Sequence, residues 1–224
     1  MNHKNEFIDF MINAGVLTFG DFTTKSGRKT PFFINTGNYK TGEQISKLGD
    51  FYAECIHAAI KDEFDILYGP AYKGIPLSVS TAIAFYKKFN LDKGFCFNRK
   101  EEKDHGEGGS LIGMKPYENS KVVIIEDVVT AGTSVRESVP IIKGAANCEI
   151  AALIISVDRM EKGAGKQSAV QEIESQFGIK VFPIVTIKEI VDYLYNKEIN
   201  GKVLINDDML GRINDYMNLY GIKQ

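Results

Sequence analysis

Residues 122–134 read V-V-I-I-E-D-V-V-T-A-G-T-S. Four β-branched apolar residues run into two adjacent carboxylates, Glu126 and Asp127. A short loop with Thr130, Gly132, Thr133 and Ser134 follows, and a helical pattern opens near Val135. An unbroken apolar run of this length predicts a strand covered on both faces within a parallel sheet. A loop of small hydroxyl residues opening a helix gathers backbone N–H groups around one point, which suits a phosphate dianion. The carboxylates just before it can hold two sugar hydroxyls, or a metal through its waters. The competing reading is an ordinary buried strand and glycine turn, with Asp127 capping the next helix. No Gly-Lys-Ser/Thr follows as in a Walker A loop, and no G-x-G-x-x-G is present.

Outward from this stretch, strand and helix patterns alternate. Short apolar runs at 65–68, 94–97, 121–125, 150–157 and 181–184 predict strands. Helical periodicity appears from about Ile75 and Val135, around 168–177 and 187–195, and finally around 209–220. Earlier, Phe7, Phe10, Met11 and Ala14 mark one helix, while Ile45, Leu48, Tyr52, Cys55, Ile56 and Ala59 mark the apolar face of a longer one. This alternation predicts an α/β fold with a mostly parallel central sheet flanked by helices. Residues 17–37, rich in Thr, Phe and Gly, read as short strands and turns. The segment to about Lys40 breaks the alternation and is expected to form a small N-terminal cap over the sheet of a single domain. No repeat, low-complexity tract or linker interrupts the chain.

Ligands of such sheets gather beyond the carboxyl ends of the strands. The loops at 69–74, 98–109, 126–134 and 158–163 all follow predicted strands, so the chemically suggestive residues fall on one sheet edge. In G-P-A-Y-K-G-I-P at 69–76, N–H groups at a helix start beside Lys73 suit a diphosphate, against the plain alternative of a solvated lysine. The loop at 98–109 is polar and glycine-flanked, and Arg99, Lys100, Lys103 and His105 in it can close over a polyanion. Its bland counterpart is a solvated surface loop. Arg159, directly after a strand, can clamp a carboxylate bidentately, or can form a surface ion pair with Asp158 or Glu161.

The chain has 224 residues, 44% hydrophobic and 25% charged, with net charge -2. That length suits one sizeable domain, and a pI near 6.0 gives no global attraction to nucleic acid. Cys55, Cys96 and Cys148 lack C-x-x-C spacing and read as buried thiols of a cytoplasmic protein. Neither a signal peptide nor a membrane-spanning run is expected, nor is there room for a fused second enzyme domain.

Residues 122–134 resemble the phosphoribosyl-diphosphate (PRPP) signature of type I phosphoribosyltransferases. F-T-T-K-S-G-R-K-T-P-F-F-I-N at 22–35, G-P-A-Y-K-G-I-P at 69–76, F-N-R-K-E-E-K-D-H-G-E-G-G at 97–109 and I-S-V-D-R at 155–159 narrow the likeness to the orotate phosphoribosyltransferases. The likeness runs from about 7 to 195.

That resemblance implies transfer of the 5-phosphoribosyl group from PRPP to N1 of orotate, with Mg2+, by a cytoplasmic homodimer of pyrimidine biosynthesis. It implies that Val128, Val129, Thr130, Ala131, Gly132, Thr133 and Ser134 bind PRPP around its 5′-phosphate, while Glu126 and Asp127 hold the ribose hydroxyls. Tyr72 and Lys73 would meet the diphosphate across a cis peptide after Ala71, and Lys25 is a further PRPP contact. Phe33, Ile34, Thr130 and Arg159 fall at the orotate positions. Arg99, Lys103 and His105 would come from the partner subunit's loop, with Lys100 acting at the other site. His105 and Lys103 both remain open as proton donors to the diphosphate.

Two positions depart from the family's usual pattern. Ile34 stands where a second aromatic is common, and Glu126 where Asp is common. Rival readings are a phosphoribosyltransferase for uracil or a purine, which offers no carboxylate to Arg159, and a regulator binding RNA or DNA. The second is disfavoured by the retained basic loop and the lack of a basic face.

Overall fold

The computed structural model describes residues 3–24, 27–101, 110–129, 132–163 and 165–222. Helix α1 (His3–Asn13) leads into an antiparallel hairpin of β1 (Leu17–Thr23) and β2 (Lys29–Ile34). A 3-10 turn (Thr36–Asn38) and the long helix α2 (Gly42–Ile60) follow. Alternation then sets in: β3 (Ile66–Tyr68), α3 (Gly74–Phe89), β4 (Gly94–Asn98), the short β5 (Leu111–Gly113), β6 (Lys121–Glu126), α4 (Thr133–Ala145), β7 (Glu149–Asp158), α5 (Ala169–Phe177), β8 (Val181–Thr186) and α6 (Ile187–Leu194). A small hairpin, β9 (Glu198–Ile199) and β10 (Lys202–Val203), and helix α7 (Asp207–Tyr220) close the chain.

Six strands form the central sheet in the order β5-β4-β3-β6-β7-β8. All neighbours are parallel except β4 and β5. The chain moves from β3 to β4 in one direction and from β6 through β7 to β8 in the other. The adjacent strands β3 and β6 therefore flank the point where the winding reverses, and the loops that leave them diverge into a crevice.

Both faces of the sheet are covered. Leu67, Val123, Ile125 and Ile154 pack with residues of α1, α2, α3 and α6 on one side. Tyr68, Ile124, Leu153 and Ile155 pack with Val135 and Ile142 of α4 and Ile173 of α5 on the other. With α3 and α4 on opposite faces, β6 has no wet side, and this is why its sequence runs apolar without alternating.

Local signals set the helix ends. Thr41 and Gln44 form a reciprocal capping box at the start of α2, and Ser168 with Gln171 does so for α5. Leu48, Tyr52 and Ile56 line the buried face of α2 at helical spacing. The hydroxyl of Tyr52 donates to the Glu126 carbonyl at 2.7 Å, tying α2 to the end of β6.

The predicted strands and helices are all present with small shifts at their ends. Helix α4 starts at Thr133 rather than near Val135, because apolar spacing marks the first buried residue and not the first helical one. Strand β5 and the β9–β10 hairpin were not anticipated; two or three residues are too few to display a period. Cys96 and Cys148 are buried, Cys55 is partly so, and all three are free thiols. Among the described residues no helix is long and apolar enough to cross a membrane.

Candidate active site

The loop after β3 is very tight. A Cβ added to Gly69 would lie 2.0 Å from the Gly74 carbonyl oxygen, so only glycine allows this approach. The Gly74 amide donates to the Pro70 carbonyl at 2.9 Å. The Ala71–Tyr72 peptide is cis, as the resemblance implied. Ala71 N–H donates to Asn98 Oδ1 at 2.9 Å, which fixes this loop to the end of β4. Tyr72 is left 72% exposed, and Lys73 stands at the start of α3.

Across the crevice the acidic pair divides its roles. Glu126 is buried at the end of β6, and Asp127 follows it into the loop. Asp127 Oδ2 accepts from Thr36 Oγ1 at 2.5 Å and from Lys73 Nζ at 2.9 Å, while its Oδ1 accepts from the Val128 amide at 2.7 Å. Lys73 also reaches Thr36 Oγ1 at 3.1 Å. Ser156 holds the Asp127 carbonyl through its amide and its hydroxyl. Burial pushes the Glu126 carboxyl up to about 7, with Asp127 beside it reinforcing the shift and Ser134 opposing it. Burial alone would raise Asp127 as well. Hydrogen bonds from Thr36, Lys73 and Val128 outweigh it and hold that carboxyl below the ordinary range. One member of the pair is therefore a fixed anion, and the other titrates near neutrality.

Beside this pair opens a cavity of about 150 Å³, lined by Thr36, Lys73, Asp127 and Ser156 together with apolar side chains such as Leu48 and Leu77. Gly132, with φ of 68°, turns the chain into α4 and offers no side-chain cap. The first N–H groups of that helix are thus open to an anion. Asp127 does not cap the helix, contrary to the competing reading of residues 122–134, although the buried strand and glycine turn of that reading are present. Val129 packs against the cluster on the α4–α5 side.

The other expected site residues lie further out. Phe32 is a core residue, whereas Phe33 is exposed and stacks on Phe22 with centroids 5.5 Å apart. Ile34 is half-buried at the end of β2. Arg159 forms the ion pair considered for it, with Glu161, but not as a surface pair: the arginine side chain is only 11% exposed. At the base of the basic loop the Arg99 amide donates to the Ser110 carbonyl at 2.7 Å, and Lys100 Nζ lies 3.8 Å from Glu137 Oε2 of α4. Lys25, Lys103, His105, Thr130 and Ala131 lie outside the described residues.

The structure thus joins Lys73, Glu126, Asp127, Val128 and Ser134 in one network. Among the described residues no hydrogen bond or ion pair links Phe33, Arg99, Lys100 or Arg159 to it. Sequence reasoning missed Thr36, Tyr52 and Ser156. Ser156 carried a usable signal, since a lone hydroxyl inside an apolar strand must find a partner.

No three His, Cys, Asp or Glu gather as a metal-ligand set among the described residues. Two adjacent carboxylates, one already engaged by a lysine, fit a Mg2+ held mainly by substrate phosphates and water.

A crevice at the winding reversal, an anion-ready helix start and a carboxylate pair beside them define a phosphoribosyltransferase, and the phosphoribosyl transferase domain model matches residues 35–189. The chain is 59% identical over 221 residues to the orotate phosphoribosyltransferase of Clostridium beijerinckii and 58% identical to that of Clostridium acetobutylicum, covering 99% of each protein in both cases. The orotate phosphoribosyltransferase structure from Francisella tularensis superposes with a TM-score of 0.83 at 37% identity, over 96% of this chain and 99% of that one. The chain belongs to the orotate phosphoribosyltransferase family.

Proposed function

We propose that this protein transfers the phosphoribosyl group of PRPP to N1 of orotate, releasing diphosphate and forming orotidine 5′-monophosphate for pyrimidine synthesis. The observation that carries the reading is the split acidic pair at the β3/β6 crevice, in a chain whose relatives bear that name along their whole length.

In the reaction the C1–O bond to diphosphate breaks as the C1–N1 bond to orotate forms, and the leaving oxygen keeps the electron pair. Positive charge develops on the ribose. The N–H groups from Gly132 to Ser134, with Thr130 and Ala131, hold the 5′-phosphate at the start of α4. Glu126 and Asp127 accept hydrogen bonds from the ribose hydroxyls. Lys73, freed from Asp127 by the substrate, moves onto the diphosphate with Tyr72 beside it. Arg99, Lys103 and His105 of the partner's loop, with Lys25 and Lys100, stabilise the departing charge and exclude water from the electrophilic carbon. Glu126 and Asp127 would hold Mg2+ through water, and bound there it neutralises charge gathering on the diphosphate. Phe33 and Ile34 lie against the orotate ring, and Arg159 clamps its carboxylate. Residues 1–40 serve as a hood over the site.

A homodimer supplies the shared loop. Its support is the set of exposed apolar side chains on the β4–β5 side of the sheet, Ile83 and Tyr86 of α3, Phe95 of β4, Met114 and Tyr117. Such a patch on one side of a chain fits burial against a second copy.

The test follows orotate absorbance with PRPP and Mg2+, beside uracil, hypoxanthine and adenine. Turnover confined to orotate is expected. Faster use of a neutral base, or none of any base, would overturn the reading.

A further inference from the structure

Glu161 is the meeting point of three side chains from distant parts of the chain. Its Oε1 accepts from Arg159 Nε at 2.9 Å, from Arg159 Nη2 at 2.6 Å and from the Tyr216 hydroxyl at 2.8 Å. Its Oε2 accepts from Arg28 Nη1 at 3.2 Å. The Glu161 side chain is 15% exposed. These bonds are therefore shielded from water and stronger than surface pairs.

The backbone is fixed as firmly as the side chain. The amide of Met160 donates to Asp158 Oδ1 at 2.8 Å, making a turn directly after β7. Lys162 N–H donates to the Tyr220 carbonyl at 2.7 Å, and Ile222 N–H to the Met160 carbonyl at 2.9 Å. The end of α7 is thus stitched antiparallel to residues 160–162. Aromatic faces complete the frame: the Arg159 guanidinium lies 4.6 Å over Phe32, Phe32 meets Tyr216 edge-on at 5.7 Å, and Arg28 lies 4.4 Å over Tyr220.

A guanidinium offers five N–H donors in a rigid plane. Glu161 occupies the edge made by Nε and Nη2. Among the described residues Nη1 has no partner, so the end formed by Nη1 and the outer N–H of Nη2 stays available for a second carboxylate, in the bidentate geometry that arginine favours. With one edge pinned and one face on Phe32, the plane cannot rotate freely.

We infer that Glu161, held by Tyr216 of α7, is a positioning residue that locks the Arg159 guanidinium so that its free end meets the orotate carboxylate. The inference rests on the proposed role of Arg159 and extends it: the C-terminal helix contributes to base recognition without touching the base.

Steady-state kinetics of Glu161→Ala, Glu161→Gln, Arg159→Ala and the Glu161→Ala/Arg159→Ala double variant test it. Glu161→Ala is expected to raise KM for orotate about tenfold or more, as loss of a charge-assisted bond implies, and to leave KM for PRPP within about twofold. Glu161→Gln keeps an acceptor oxygen but loses the charge, so its KM for orotate should fall between those of the parent and the alanine variant, and a KM equal to the parent's would overturn the inference if the alanine variant fails to fold. In the Arg159→Ala background, Glu161→Ala should add nothing. Equal rises in both KM values, or additive losses in the double variant, would overturn the inference.

A second readout is independent of turnover. The arginine Nε–H resonance that Arg159→Ala removes from the 15N spectrum should exchange slowly with water in the parent protein and fast in Glu161→Ala. A parent protein inactive on orotate would end the proposed function while this spectrum still judged the Glu161 contact. An unchanged exchange rate would end the positioning role while an active parent left the function standing.

Discussion

Lys73 and Asp127 stand 54 positions apart, yet Lys73 Nζ lies 2.9 Å from Asp127 Oδ2 across the crevice between β3 and β6. The pair is lopsided. Asp127 is largely enclosed, whereas the Lys73 side chain is 64% exposed. A lysine so wet adds little to stability, since exposed ion pairs are worth about 0–1 kcal/mol. In the proposed mechanism it holds a cation over the acidic pair until an anionic substrate competes for it.

Lys73→Ala should therefore separate stability from activity. Its free energy of unfolding in urea is expected to stay within about 1 kcal/mol of the parent's. Its kcat should fall by about two to three orders of magnitude, as for other preorganised electrostatic groups. A variant several kcal/mol less stable but still active would show that the contact is structural instead.

Glu126 sets a pH dependence whose sign can be worked out. Its carboxyl is raised to about 7 by burial, against about 4.3 in an unfolded chain. Between those values the folded state keeps a proton that the unfolded state has released. Stability from this group is then complete below the lower value and is lost as pH rises through about 7. Asp127 is depressed and acts oppositely, losing its contribution only as acid drives pH down through its folded value. Glu126→Gln abolishes the first window alone. Compared with the parent protein, it should gain on the order of 2–3 kcal/mol between pH 4.5 and pH 8. Equal differences at the two pH values, measured by urea unfolding, would refute the raised carboxyl.

The residues that could be read from sequence are those whose environment is written in their own neighbours. Val122 to Ile125 announce a strand covered on both faces, and the glycine-hydroxyl loop announces a helix start, because both depend on local pattern. Thr36 and Tyr52 could not be found this way. Each reaches the acidic pair from another element, and nothing beside either in the chain marks that partner. Arg159 lay between these cases. Both of its proposed roles were visible, but only its ion pair with Glu161 and its stacking on Phe32 show that, among the described residues, one end of the guanidinium has no partner. Strand β5 escaped because three residues carry no period.

Gly69 offers a test of the crevice's geometry. Its hypothetical Cβ would sit 2.0 Å from backbone oxygen of Gly74, and 2.7 Å from Ser78 Oγ. Backbone cannot yield as a flexible side chain would, so Gly69→Ala must shift the start of α3 and with it Lys73. A loss of about 1–3 kcal/mol is expected, as for other overpacked sites, together with a raised KM for PRPP. An alanine variant with the parent's stability would mean that this loop is looser than its distances state.

The shared loop can be tested without any view of its conformation. Lys103→Ala carries a sound crevice and a disabled loop, while Asp127→Asn carries the reverse. Each homodimer alone should be nearly inactive. If the loop of one subunit covers the crevice of the other, a hybrid dimer combines the intact crevice of the first variant with the intact loop of the second. Half of a statistically mixed population is hybrid and each hybrid has one working site, so co-refolding should restore about a quarter of parental activity. If each loop served its own subunit, every site in the hybrid would carry one lesion, and the mixture would stay as inactive as its parts. The same co-refolded sample run on a sizing column reports whether a dimer forms at all, which separates a cis-acting loop from a monomeric enzyme.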